Sequence, residues 1–361
     1  MKKEAITELT GTVAELSREF GTSGYVQGGG GNSSCKSADT LWVKPSGTTL
    51  SGMTPQTFVR MSRTKLDALF GLAVPTDAAA REALVKDVMA AAVLPGQKAR
   101  ASVEAPLHNV LGGTYVVHTH PALVNGMTCA AGGAEACARL FPDALWVPYI
   151  DPGYTLCIDV RKRVIEYAAR RGRQPNLLVL ENHGIFVTAD TAEGVRILYR
   201  TVMDALRGQY RRAGIEMCLP ECPVAPAEQV ESTCRELRAI LGAAAAGIAY
   251  GGRFDVAPGP ISPDHIVYAK SHPCSGPLSR EGVAAFHKQH GYLPLVFALD
   301  AGVFTTGEKQ SRADLVLEMA RDGALVMRLA AAFGGIQYMT ERAKKFIENW
   351  EVESYRQKQM G

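Results

Sequence analysis

The chain has 361 residues, 47 % hydrophobic and 21 % charged, and its 39 basic and 36 acidic side chains leave a net charge of +3. That length suits one large or two modest globular domains, and so even a balance, without a block of one sign, argues against a nucleic-acid footprint or a polybasic membrane anchor. Met1-Lys2-Lys3-Glu4 enters a mixed polar pattern rather than an apolar signal core, no run of about 18 apolar residues occurs, and of eight scattered cysteines only Cys218 and Cys222 are closely spaced, so a cytoplasmic chain with reduced thiols is expected.

In chain order, residues 4–20 read as an amphipathic helix stopped by Gly21. Gly28-Gly29-Gly30-Gly31-Asn32 then opens a hairpin of 33–36 and 41–44, turned at Ala38-Asp39. The glycine run follows a helix rather than a strand, and no Gly-Lys-Ser/Thr comes after it, which argues against both a dinucleotide fingerprint and a P-loop. Lys44-Pro45-Ser46-Gly47-Thr48-Thr49 is rich in hydroxyls and backbone donors; with Asn32 and Ser102 it could cradle phosphate oxygens, and standing alone it is a Pro-Ser-Gly turn. Thr54-Pro55 and Thr76-Asp77 read as helix starts, the second helix running to about Val93.

Ser102-Val103-Glu104 heads a helix predicted from Glu104 to Leu111, with Glu104 14 residues before His118. A carboxylate there suits the first turn of a helix, and its nearness to a histidine strand adds a catalytic reading. His108, one turn on, reads as a packing or supporting histidine rather than a ligand. His118-Thr119-His120 follows Val116-Val117 and ends at Pro121, and His183 comes 63 residues later in Leu180-Glu181-Asn182-His183-Gly184. Alternate strand residues point to one side, so the pair is either a half-buried strand with satisfied imidazoles or two ligands of one ion. Its place at a strand end, with a third histidine at another, favours the ion, and three imidazoles with an open fourth position suit zinc. Tyr149 and Tyr154 flank Asp151-Pro152-Gly153 and read as packing aromatics or proton donors. His265, His272, His287 and His290 receive no role.

Strands at 146–150, 177–181 and 185–187 and helices at 160–170 and 191–211 complete a mixed α/β domain of about 220 residues. Pro220, Pro223 and Pro226 mark a boundary, giving expected domains 1–220 and 221–361. A helix is expected around 228–246. Residues 264–273 echo 114–121 and residues 295–317 echo 178–198; Lys270 and Ala301 then stand for His118 and His183, and His272 for His120. The second domain is accordingly expected to be a shortened, metal-free α/β repeat, with fold grammar alone as the alternative. Its helices at 314–333 and 341–350 are expected to stabilise the first domain or an oligomer.

The ordered set of glycine-rich loop with Asn32, Pro45-Ser46-Gly47, Glu104, His118-Thr119-His120 and Glu181-Asn182-His183-Gly184 resembles the class II aldolase/adducin family over about residues 1–215. The closing stretch from Phe346 to Arg356 resembles the joint of bifunctional rhamnulose-1-phosphate aldolase/alcohol dehydrogenase proteins; the dehydrogenase half that follows there is absent up to Gly361, and no such activity is expected. The resemblance implies a three-layer α/β/α fold with a central mixed, largely antiparallel sheet, and zinc or another divalent ion on His118, His120 and His183. It also implies that Asn32, Ser46, Gly47 and Ser102 hold a substrate phosphate, that Glu104 moves protons, and that chains assemble as homo-tetramers with sites between neighbours. The implied reaction is reversible retro-aldol cleavage of a ketose 1-phosphate, such as rhamnulose 1-phosphate, to dihydroxyacetone phosphate and a small aldehyde. A sugar-phosphate epimerase, a dehydratase and a non-catalytic adducin-like assembly domain share that scaffold. Two features depart from the fuculose-phosphate aldolases: Val103 stands where they have a second serine, and the tyrosine lent by their neighbouring subunit has no counterpart identified in this chain.

Overall fold

The computed structural model describes residues 3–73, 75 and 77–350. They divide into two compact units, residues 3–124 with 134–206, and residues 125–133 with 207–350. In the first, α1 (Lys3–Glu19) precedes the hairpin of β1 (Asn32–Lys36) and β2 (Thr40–Val43), followed by β3 (Val59–Ser62), α2 (Arg63–Ala68), α3 (Ala78–Ala92) and α4 (Ala105–Val110). Then come β4 (Tyr115–Thr119), α5 (Ala122–Thr128), α6 (Gly133–Leu140), β5 (Leu145–Val147), α7 (Tyr154–Arg171), β6 (Leu177–Leu180), β7 (Gly184–Ala189) and α8 (Ala192–Arg212), with α5 from Asn125 and α8 from Arg207 counted in the second unit. Local chemistry sets several of these ends. Asp77 caps α3 by accepting the Ala80 N–H at 2.8 Å, and α7 stops at Gly172, whose φ of +69° is open to glycine without strain.

Seven strands form one sheet in the order β3-β2-β1-β4-β7-β6-β5, antiparallel throughout except between β5 and β6. Period-two alternation gives each strand two faces. Val116, Leu178, Leu180 and Phe186 pack with Leu107 and Leu111 and with Leu156, Val160 and Val164 of α7, while Leu41, Val43, Val59 and Met61 pack with Leu66 of α2 and Val85 and Met89 of α3. The opposite face meets α1 and α8, where Ser17 and Ser33 hydroxyls lie 2.7 Å apart and the Tyr199 hydroxyl is 2.8 Å from that of Thr119. The first unit is thus a three-layer α/β/α arrangement around a mixed, largely antiparallel sheet.

Two expectations are corrected here. Thr54-Pro55 starts a turn, not a helix: Thr57 donates its N–H (3.1 Å) and its hydroxyl (2.8 Å) to the Thr54 carbonyl and closes the segment locally. Thr76 lies outside the described residues. The second correction concerns the expected echo. Residues 263–269 are helical, because Pro263 at the first helical position starts α10 rather than a strand.

The second unit contains α9 (Ala227–Leu241), β8 (Gly247–Tyr250), α10 (Pro263–Ala269), β9 (Cys274–Ser275), α11 (Arg280–His290), β10 (Val296–Leu299), β11 (Gly302–Gly307), α12 (Gln310–Ala330) and α13 (Glu341–Asn349). Its sheet runs β8-β11-β10-β9, with only β9 and β10 parallel, the order and sense of β4-β7-β6-β5. Register fixes the correspondence: His118 lies across from Phe186 on β7, and Tyr250 lies across from Phe304 on β11. Tyr250, Gly252 and Ala301 therefore hold the positions of His118, His120 and His183; Ala301 was expected there, Lys270 and His272 were not the partners. The Tyr250 hydroxyl donates to the Ala301 carbonyl and accepts the Ala225 N–H, both at 2.8 Å. Phe346 to Trp350 of the closing stretch are described and the rest of it is not. Among the described residues no helix is long and apolar enough to cross a membrane, and the eight cysteines stand as thiols.

Candidate metal centre

His118 is fully buried at the end of β4, and His120, the next residue on the same side, is held by its N–H to the Tyr25 carbonyl at 2.9 Å. His183 comes from the turn between β6 and β7. Asn182 takes a φ of +52° there, a left-handed conformation that asparagine tolerates better than most. Gly184 admits no side chain: a Cβ would lie 2.4 Å from the Thr119 carbonyl oxygen and 2.7 Å from His120 Cδ2. One nitrogen of each of the three imidazoles lies within 4.8 Å of the others.

His118 Nδ1 donates to the Ile185 carbonyl at 2.8 Å, which makes Nε2 the nitrogen turned toward the cluster. That Nε2 faces His120 Nε2 at 2.9 Å and the Glu104 carboxylate at 3.3 Å. Several electron-pair donors converge on one point, which fits a cation, and a three-imidazole set suits a borderline-soft divalent ion such as zinc. The Ile185 carbonyl supplies the outer partner that fixes a ligating ring in one tautomer and orientation. Phe186 stacks on the His118 ring, centroids 3.8 Å apart and planes 6° from parallel, and so keeps that ring from rotating.

Glu104 occupies the capping position of α4. Its Oε2 accepts from Asn32 Nδ2 at 3.1 Å, and its N–H donates to Ser102 Oγ at 3.2 Å; Asn32 Nδ2 also donates to Ser102 Oγ. Burial works to raise this carboxyl's pKa, but attraction to the imidazoles around it, His118 first by charge and hydrogen bond and His183 after it, holds it well below the usual carboxylate range. Asn32 lies directly across from His118 in the β1–β4 register. Asn32, Ser102, Glu104, His118, His120 and His183 are thereby brought together. Pro45 bridges to Ala101 and the Ser46 N–H is taken by the Arg100 carbonyl at 2.9 Å, which ties the Pro45-Ser46-Gly47 loop by its backbone to the segment that leads into Ser102.

His108 is not one of the converging ligands. It is fully buried, its Nδ1 lies 2.8 Å from Ser34 Oγ, its ring meets Phe186 edge-on, and burial pulls its pKa down to about 3, so it stays neutral. Tyr154 packs beside α3 in the core. Phe186 and Lys36 were not singled out from sequence. The available signal was the wholly buried yet polar strand Asn32-Ser33-Ser34-Cys35-Lys36, which alternation alone did not expose.

The profile of the "Class II Aldolase and Adducin N-terminal domain" family matches residues 11–210. The uncharacterized oxidoreductase YuxG of Bacillus subtilis (strain 168) is 30 % identical over 175 residues, 46 % of this chain and 24 % of YuxG, so the chain spans about a quarter of that relative's length. Among solved structures, the N-terminal class II aldolase domain of a conserved Thermoplasma acidophilum protein is 23 % identical with a TM-score of 0.47, covering 55 % of this chain and 91 % of that one. L-fuculose-1-phosphate aldolase of Thermus thermophilus is 16 % identical with a TM-score of 0.38, covering 58 % and 97 %. With the family profile matching more than half of its length, the chain belongs to the class II aldolase and adducin N-terminal domain family.

Proposed function

We propose that the protein is a metal-dependent aldolase that cleaves a ketose 1-phosphate of the rhamnulose 1-phosphate kind, reversibly, to dihydroxyacetone phosphate and a small aldehyde. The observation that carries this reading is the Glu104 carboxylate 3.3 Å from His118 Nε2, at the point where three imidazoles converge. His118, His120 and His183 would hold the ion, zinc or another divalent metal. When bound, it supplies Lewis acidity toward the carbonyl and neighbouring hydroxyl oxygens of the sugar. Breaking C3–C4 leaves an electron pair at C3 and turns C4 into an aldehyde as its hydroxyl proton leaves. Glu104, ionised at rest, takes up the proton released by the C4 hydroxyl and delivers it to C3. Ser46, Gly47, Asn32 and Ser102 are proposed to receive the phosphate. Cytoplasmic location and homo-tetrameric assembly belong to the same proposal.

Residues 221–361 are proposed to be a metal-free partial repeat of the catalytic unit, supported by the shared strand order and by Gly302 repeating the tight approach of Gly184. The deciding experiment is elemental analysis of protein purified without chelator, paired with release of dihydroxyacetone phosphate from L-rhamnulose 1-phosphate. About one zinc per chain with product supports the aldolase. Zinc without that product redirects the reading to epimerase or dehydratase chemistry. Failure to bind any divalent metal after reconstitution overturns it in favour of an assembly domain.

A further inference from the structure

Three alternate residues of β1, Asn32, Ser34 and Lys36, are polar, buried and on the face that meets α4. Each grips that helix at a different height. Asn32 reaches Ser102 and Glu104 at the N-terminal end, Ser34 Oγ is 2.8 Å from His108 Nδ1 midway, and Lys36 Nζ donates to the His108 carbonyl at 2.7 Å and to the Leu111 carbonyl at the C-terminal end. A helix of six residues has no stability of its own in water, so its place is set by what it docks on. Apolar packing would hold it at lower cost than a buried ammonium, which burial and then the nearby Arg63 charge pull down to about 7. Polar rungs add register: sliding α4 by one residue along β1 would break all three, while a greasy contact would tolerate the slip.

We propose that Ser34 and Lys36 are positioning residues for Glu104, acting through α4, with Asn32 the rung that touches the carboxylate itself. The proposal rests on the reading of Glu104 as the proton-moving group. Displacements near 1 Å in such a site cost up to about 100-fold in rate, so remote rungs of this kind have a measurable signature.

The test uses the full chain loaded with zinc and the variants Lys36→Met, Lys36→Arg and Ser34→Ala, each alone and combined with Glu104→Gln. Kinetics are read on L-rhamnulose 1-phosphate, together with zinc content, thermal melting and the crystallographic Glu104 Oε1 to His118 Nε2 separation. Lys36→Met is expected to lower kcat about 10- to 100-fold with KM within about two-fold and zinc retained. The separation should widen beyond 3.3 Å, Lys36→Arg should recover part of the rate, and Lys36→Met should add nothing once Glu104 is glutamine. Ser34→Ala, milder in a folded chain, should move the same quantities in the same direction if Lys36→Met does not fold. Unchanged kcat in folded variants, an equal loss in the Glu104→Gln background, or an unmoved separation would each overturn the proposal. A wild-type chain that leaves this ketose intact, or a fully active Glu104→Gln, counts against the functional reading instead; the separation still decides whether the rungs position Glu104.

Discussion

Glu104 draws its chemistry from its neighbours. Held by Asn32 and set against His118, it stays ionised at rest, so Glu104→Gln should retain the metal and lose at least about 100-fold in kcat, read by elemental analysis and steady-state kinetics on one preparation. Gly184 makes a separate prediction. Gly184→Ala forces a methyl into the space of the Thr119 carbonyl and the His120 ring, so zinc content should collapse while far-UV circular dichroism keeps the native signal. At this scale the meeting of the three histidines with Glu104 was legible, because histidine spacing and strand ends are local features of the chain. The grip of Asn32 on Glu104 was not, since its partner lies 72 residues away and only the β1–β4 register brings the two together. Phe186 was illegible for the same reason: an apolar residue in a strand reads as core until pairing lays it on a histidine ring.

Among elements, β4 and α8 show how the histidine strand is backed. The Tyr199 hydroxyl lies 2.8 Å from the Thr119 hydroxyl and donates to the Val117 carbonyl at 3.2 Å, behind the two histidines. Tyr199→Phe should cost about 1–3 kcal/mol of stability in denaturant melts and leave kcat for the metal-loaded enzyme largely intact. The β1–α4 pairing carries a pH prediction. Lys36 loses its proton at about 7 in the folded chain and at its ordinary value of 10.5 when unfolded. Between those values the unfolded state binds more protons, so folding stability rises with pH, and below about 7 the full penalty of the buried charge is present. The thiols of Cys35 and Cys137, pushed up to about 12 by burial, act in the opposite sense above 9. Urea melts from pH 7 to 9 should therefore show a rise that Lys36→Met abolishes. The hairpin, α3 and the histidine strands were legible because caps, turns and alternation are local; the start at Thr54-Pro55 misled because the Thr57 hydroxyl satisfies the Thr54 carbonyl before a helix can.

On the scale of the whole molecule, the strand order of the second sheet repeats half of the first and leaves out the β1–β3 half, which carries Asn32. Sequence echo located the β10–β11 hairpin, where a glycine is demanded, yet misassigned the strand before it, because only hydrogen-bond register identifies Tyr250 as the counterpart of His118. Removing metal with a chelator should accelerate amide hydrogen exchange around residues 115–120 and 180–186 and leave residues 247–252 and 300–304 unchanged; equal acceleration in both would contradict a metal-free second unit. The Tyr250 phenol has a further consequence, one of history. Under the proposed duplication it works as a ratchet. Restoring a single histidine there strands the Ala301 carbonyl and the Ala225 N–H at about 1–3 kcal/mol each, before any other ligand exists to hold an ion in recompense. A histidine at Gly252, where φ is +74° and a Cβ would meet Cys222 Cβ at 2.9 Å, is barred as well. Drift can refine this second sheet as a scaffold, but it has no downhill route back to catalysis.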